Sequence, residues 1–295
     1  MAAPPPARSR RRRRLSPGLR AAAPVLALLA FGFAAPLATV AAMSVSPPGS
    51  FAPAPGPDLQ AWARLVDPAG GLPGSFAVTL GLAAATVAAL LAICLPLAHA
   101  LVHLFGRWSG LVSTLFVFPL FVSENVRLYG WALVLLKNGL LDGTMKALGL
   151  GPGPDWLFTP AITLAGMIYV HLPFMLFPVV LGLSLVPRET VEAARDLGAS
   201  RARIWAEIVL PLASPGILIG MLLTFTLAAG ALAEARILGG QSVIPVAQEI
   251  ETAFSYAQDW PGGAAMALAL VLITGALALA LLAAIDLDRL LGRRR

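Results

Sequence analysis

The sequence predicts an all-α integral membrane protein with six transmembrane helices, and three observations carry that prediction. First, 58% of the 295 residues are hydrophobic and only 12% are charged, against roughly 45–50% and about 25% in an ordinary globular domain. Second, charge-poor apolar stretches of about 20 residues, the length needed to cross a hydrocarbon core, recur six times. Third, the basic residues collect on one side of those stretches. The composition excludes a soluble fold, which has too few charges here to cover so much apolar surface. It also excludes disorder, which needs low hydrophobicity and high charge.

The spans follow in chain order. Residues 1–20 form an Arg/Pro-rich tail with five consecutive arginines, Arg10 to Arg14, and residues 21–295 form the membrane domain. The first span covers about 21–43, punctuated by Pro24 and Pro36. Its length favours an uncleaved helix, with a secretory or twin-arginine signal as the alternative. Residues 44–74 are rich in Pro and Gly and read as an external loop with a short helix near Leu59 to Val66. The second span covers about 75–105 and stops before Arg107. The third covers about 111–136, interrupted by Glu124 and Arg127 and bent at Pro119. After an external segment at 137–159 comes the fourth, at about 160–185, where Pro173 and Pro178 predict kinks. The fifth covers about 212–233. The external loop 235–262 and the sixth span, about 263–285, complete the set. Trp156 and Trp260 stand where interfacial tryptophans are expected.

If the N-terminus is cytoplasmic and the helices alternate, 16 of the 21 Lys and Arg residues fall on the cytoplasmic side. Only Arg64, Arg127, Lys137, Lys146 and Arg236 remain for the other face or the membrane. The positive-inside rule therefore places both termini inside, and the net charge of +6 is a cytoplasmic arginine surplus. The arginine tail reads as a segment held at the anionic leaflet. Nothing beside it folds into a nucleic-acid reading surface, so no nucleic-acid partner is expected.

Few residues suggest chemistry. The single cysteine, Cys94, lies in an apolar run and can form neither an internal disulfide nor a cysteine zinc cage. His99, His103 and His171 fall in or at the ends of spans but on different levels, so interhelical hydrogen bonding is expected and no metal site. No paired catalytic residues sit together at membrane depth.

The segment 186–211 is different from the other loops. Pro187 can open a short helix in which Val191, Ala194 and Leu197 recur at helical spacing, and Gly198 suits a left-handed terminator. Ser200 is a plausible N-cap for a second helix with Ile204, Trp205 and Ile208 on its apolar side, closed by Pro211 where the fifth span begins. The result is an amphipathic helix–turn–helix on the cytoplasmic face, between helices four and five.

Within it stand Glu192-Ala193-Ala194, then Gly198 after three intervening residues, and Ile208-Val209-Leu210-Pro211 after nine more. This resembles the EAA motif of the membrane subunits of ABC-type importers, with every fixed position filled. The resemblance implies the type I ABC importer fold, with this segment as a coupling helix docked in a cytoplasmic ATPase. Glu192, Ala193, Ala194, Asp196, Gly198, Ile208, Leu210 and Pro211 would then be the ATPase-coupling residues. It implies as partners a second permease subunit, two cytoplasmic ATPase subunits and an extracytoplasmic solute-binding protein. The chain lacks a G-x-x-x-x-G-K-[ST] phosphate loop. It is therefore expected to be no enzyme and to hold no cofactor, with ATP and Mg on the partner ATPase.

Residues 70–290 resemble more narrowly the spermidine/putrescine permease-like subfamily. Val126 to Trp131, Lys137 to Leu140, His171 to Met175 and Trp260 to Ala265 carry that likeness beside the motif. It implies a bacterial inner-membrane location and a polyamine solute. An anionic or metal-chelate solute on the same machinery, and an ion-gradient transporter, are the alternatives.

Polar residues inside a span are costly and mark a pathway or a partner. Glu124, Asn125, Arg127, Tyr129 and Glu234 are the candidates for a substrate path. Glu124 and Arg127, three apart, can instead pair with each other on one helical face.

Overall fold

Long apolar runs at membrane depth leave the backbone to satisfy its own hydrogen bonds, which makes helices the economical solution. The computed structural model describes residues 17–284 apart from 55, 152 and 241, and no strand occurs among them. The arginine tail through residue 16 and the C-terminal arginines Arg289 and Arg293 to Arg295 lie outside the described residues.

Five helices are long and apolar enough to cross a membrane. They include α1 (Pro17–Met43), which is followed by the short α2 (Gln60–Val66) in the first loop, and α3 (Leu72–His103). Next come α4 (Ser109–Val117), α5 (Glu124–Leu135) and α6 (Leu140–Ala147). The third of the five crossing helices is α7 (Pro160–Ser184), followed by the loop helices α8 (Arg188–Asp196) and α9 (Arg201–Ile204). Then come α10 (Leu210–Ala229), the short α11 (Val246–Ser255) and α12 (Trp260–Ala284).

Two expectations need correction. The third span is not one helix: a 3₁₀ turn over Phe118–Phe121, carrying Pro119, leads to extended backbone at Val122, and the two halves meet at 96°. Proline removes a donor and crowds the preceding turn, so the break falls where the sequence placed a bend. Counted as one span, this bent pair brings the number of crossing elements to six. Nor does Pro211 close the loop helix. Residues 201–229 run as one helix through a π-helical stretch at Trp205–Val209, where the Leu210 N–H reaches the Trp205 carbonyl. A wider turn absorbs the proline that would otherwise clash inside a regular helix.

α3, α7 and α10 form the centre, with Leu90, Cys94, Met175, Leu176, Val179, Leu183 and Ala213 fully buried between them. Cys94 is thus the small core residue its surroundings predicted. α1 packs along α12 and otherwise stands free of the bundle. At the end of the bundle away from the 186–211 loop, α11 is pinned to α3: the Thr79 hydroxyl accepts from the Val246 N–H at 2.8 Å across 167 residues. Arg64 reaches Asp259 at 2.7 Å, fastening the first loop to the start of α12.

Candidate functional site

Two places gather the residues singled out by the sequence: the 186–211 loop and a cavity beside the broken helices.

In the loop, α8 ends in a full Schellman motif. Gly198, at φ +81°, donates to the Arg195 carbonyl at 2.9 Å, and Ala199 donates to Ala194 at 3.0 Å. The Ser200 hydroxyl then caps the next turn by accepting from the Arg203 N–H at 3.3 Å. Val191, Ala194, Ala199 and Trp205 pack on the core, and Ile204 and Val209 are buried in it. Leu197 departs from the expected apolar stripe: it is 88% exposed, because the chain turns at Gly198 before it can fold back. Ala193, Asp196, Gly198 and Pro211 are exposed as well, Leu210 is 36% exposed, and Ile208 is half-buried. Glu192 is exposed too, and it also borders a second cavity under α8.

The other place is a cavity of about 670 Å³ lined by Glu124, Asn125, Tyr129, His171, Phe174 and Glu234, among others. Breaks in the helices build it. Glu124 is the first residue of α5, immediately after the 96° bend. Glu234 follows the end of α10 at Ala229, where residues 230–232 leave the helix before a π-helical turn at Ala235–Gly239. Unwound backbone at membrane depth is tolerated where it lines such a cavity.

Glu234 is 1% exposed, and neither of its carboxylate oxygens has a hydrogen-bond partner among the described residues. The nearest basic group is His171, whose Nδ1 lies 3.7 Å from Glu234 Oε1. That nitrogen is committed instead to the Met167 carbonyl at 2.8 Å, a bond within α7. Five of the sequence candidates are therefore distributed unevenly. Glu124, Asn125, Tyr129 and Glu234 meet at the cavity. Arg127 does not line it: the guanidinium sits 5.5 Å from the centre of the Tyr169 ring, with Nε and Nη1 buried and unpartnered. Among the described residues no ion pair joins Glu124 to Arg127, so helical spacing did not produce the pair it allowed.

Sequence reasoning missed the contributions of His171, Phe174 and the Gly230 to Ala231 break. His171 and Phe174 are three apart on one face of α7, a spacing visible in the sequence. Arg236 also borders the cavity but is tied to Glu251 at 2.6 Å. Among the described residues no group of three His, Cys, Asp or Glu side chains could hold a metal ion.

Residues 103–289 match the family described as binding-protein-dependent transport system inner membrane component. The spermidine/putrescine transport system permease protein PotB of Salmonella typhimurium (strain SL1344) is 33% identical over 221 residues, 74% of this chain and 75% of that protein. Its namesake from Escherichia coli (strain K12) is 31% identical over 198 residues, 67% of this chain and 72% of that protein. Among solved structures, a bacterial ABC transporter involved in the import of the acidic polysaccharide alginate has a chain that superposes with a TM-score of 0.70. That superposition covers 90% of this chain and 95% of the other at 15% identity, a likeness of fold alone. The family match, the fold and the spans agree: the chain belongs to the binding-protein-dependent transport system inner membrane components and is a multi-pass permease subunit of an ABC importer.

Proposed function

We propose that this permease passes a polyamine-like organic cation across the inner membrane. Glu234 carries the reading. A carboxylate buried with both oxygens unpartnered is costly to keep charged unless a cation meets it, and Glu124 opens onto the same cavity. A primary ammonium supplies three donors on a compact charge, which suits two carboxylates on one wall. The similarity to permeases named for spermidine and putrescine supports the same class of solute.

On this reading an external binding protein delivers the cation, a second permease subunit completes the path, and two ATPases, holding ATP and Mg, drive the cycle. This chain holds no cofactor. Both termini lie on the ATPase side, as the arginine distribution requires. The docking surface is the exposed rim of α8, with Ala193, Asp196 and Leu197 outward and Gly198 making the turn, while Ala194 seats the helix on the bundle. Glu192 is the candidate for an ion pair with a basic ATPase residue. Ile208, Leu210 and Pro211 transmit the movement through the π-helical stretch into α10.

The test is uptake of labelled spermidine by the assembled importer carrying Glu234→Gln, at matched membrane abundance. A hydrogen bond to a charged group is worth about 1.5–3 kcal/mol, so uptake at limiting solute should fall roughly tenfold or more. Undiminished uptake would remove the cation reading.

A further inference from the structure

A second cavity, of about 500 Å³, lies under α8 at the end of α3. Its polar wall is strongly basic. Arg188, Arg195 and Arg201 open onto it together with His99 and His103, against the single carboxylate of Glu192. Among the described residues none of these three guanidiniums is in an ion pair, whereas neighbouring Arg203 is bound to Glu207 at 3.0 Å. His99 adds a buried Nδ1 without a partner, in a ring held edge-on by Trp205 at 5.1 Å and beside His103 at 4.8 Å. The remaining wall is apolar, with Leu104, Val186 and Val191 prominent in it. The cavity sits where the apolar run of α3 ends, and hydrocarbon gives way to headgroups where a spanning apolar run ends.

We propose that this cavity holds the headgroup of an anionic phospholipid from the leaflet on the loop side. A phosphodiester is the anion that fits both walls: guanidiniums grip its oxygens with paired N–H donors, and the apolar side accepts the glycerol and first acyl carbons. Basic pockets between helices at this level are suited to such headgroups. A volume of about 500 Å³ is in the range of small-ligand sites. The bound lipid braces α8 against the end of α3 from beneath, leaving the outer rim with Leu197 free. The position of the loop then depends on the charge of the surrounding membrane. This does not depend on the nature of the transported solute.

Native mass spectrometry of the full-length chain tests the proposal with three probes: phosphatidylglycerol, phosphatidylcholine and inorganic phosphate. Each arginine near a headgroup is worth a factor of about five. Wild type should therefore retain phosphatidylglycerol roughly twenty-five-fold better than the Arg188→Gln/Arg201→Gln variant, and both should retain phosphatidylcholine poorly. Arg188→Lys/Arg201→Lys should hold phosphatidylglycerol with a preference between those of wild type and the glutamine variant, since the charge survives but the paired N–H donors do not. Equal retention of the two lipids by wild type overturns the proposal, and this holds even if the glutamine variant does not fold. Displacement of phosphatidylglycerol by millimolar inorganic phosphate overturns it in favour of a free-anion site. Unchanged lipid retention in the glutamine variant, with loss of ATPase binding, overturns it in favour of a protein contact.

Discussion

Gly182 of α7 and Gly216 of α10 touch backbone to backbone: a Cβ built on Gly216 would fall 2.6 Å from the Gly182 Cα. The reverse holds as well, since a Cβ on Gly182 would lie 2.6 Å from the Ala213 carbonyl oxygen. These two helices are the ones joined by the 186–211 loop. Small residues let membrane helices approach closely where no hydrophobic drive operates between them. The crossing thus ties both ends of the loop to one rigid pair.

Gly216→Ala is expected to destabilise the subunit by about 1–3 kcal/mol, the usual cost of forcing an extra methyl into a packed core. The atoms in the way are backbone, which cannot swing aside. Thermal unfolding in detergent measures it. A variant as stable as wild type would show that the helices separate at no cost.

Gly198 poses a different problem, because a Cβ there would meet nothing within 4 Å and only its φ of +81° is restrictive. Left-handed backbone costs a non-glycine residue roughly 1–2 kcal/mol, and more when β-branched. Gly198→Val should insert normally yet lose ATPase association, read by co-purification of the complex. Gly198→Asn, which tolerates this region, should retain most of it. If valine assembles as well as glycine, the turn has no part in coupling.

How far the sequence revealed these sites depended on the range of the interaction. The loop was legible to single residues, Gly198 as terminator and Ser200 as cap, because backbone geometry within a few positions decides both. Apolar length fixed the spans to within a few residues, except where helices broke or ran on. The cavity was only half legible. Glu124 and Glu234 stood out as charges in apolar runs, but their meeting depends on a 96° bend and an unwound stretch at 230–232. Spacing suggested Arg127 as the partner of Glu124, while packing gave it the face of Tyr169.

Exchange of Glu124 for Gln separates two roles. Glu124 lines the cavity without a bond to Arg127, so the variant should insert and assemble but take up a cationic solute at least several-fold less well. Half-saturation in a spermidine uptake assay should rise more than maximal rate falls. Uptake indistinguishable from wild type would leave Glu124 as a helix-starting residue only.

Asp142 organises the segment 137–159 between the bent pair and α7. Its carboxylate accepts from Lys146 at 2.7 Å, from the Gly153 N–H at 2.8 Å and from the Asn138 N–H at 3.0 Å. The Lys146 hydrogen bond, aided by the backbone donors, holds its pKa down at about 2. A depressed carboxylate contributes stability above its unfolded value near 4, and that contribution is lost as pH falls toward 2. Limited proteolysis of residues 137–159 should be flat from neutral pH to about 4 and accelerate below it. Asp142→Asn should be cut faster at neutral pH and lose the acid dependence; a variant with the wild-type profile would place the titration elsewhere.

Leu197 offers the most direct test of what α8 presents to its partner. At 88% exposure it contributes almost nothing to the isolated subunit, and surface substitutions usually change stability by less than about 0.5 kcal/mol. An exposed leucine beside the small side chain of Ala193 and the turn at Gly198 is nonetheless what a docking partner would bury. Fully burying a leucine is worth about 1.5–3 kcal/mol. Leu197→Ser should accordingly leave the melting temperature of the subunit unchanged and weaken ATPase binding by roughly tenfold or more. The comparison needs both measurements, since a fall in stability would reveal a packing role inside the bundle. Equal affinity with equal stability would mean that the ATPase does not meet this rim of α8. The docking surface would then have to lie toward Glu192 and the basic cavity beneath it.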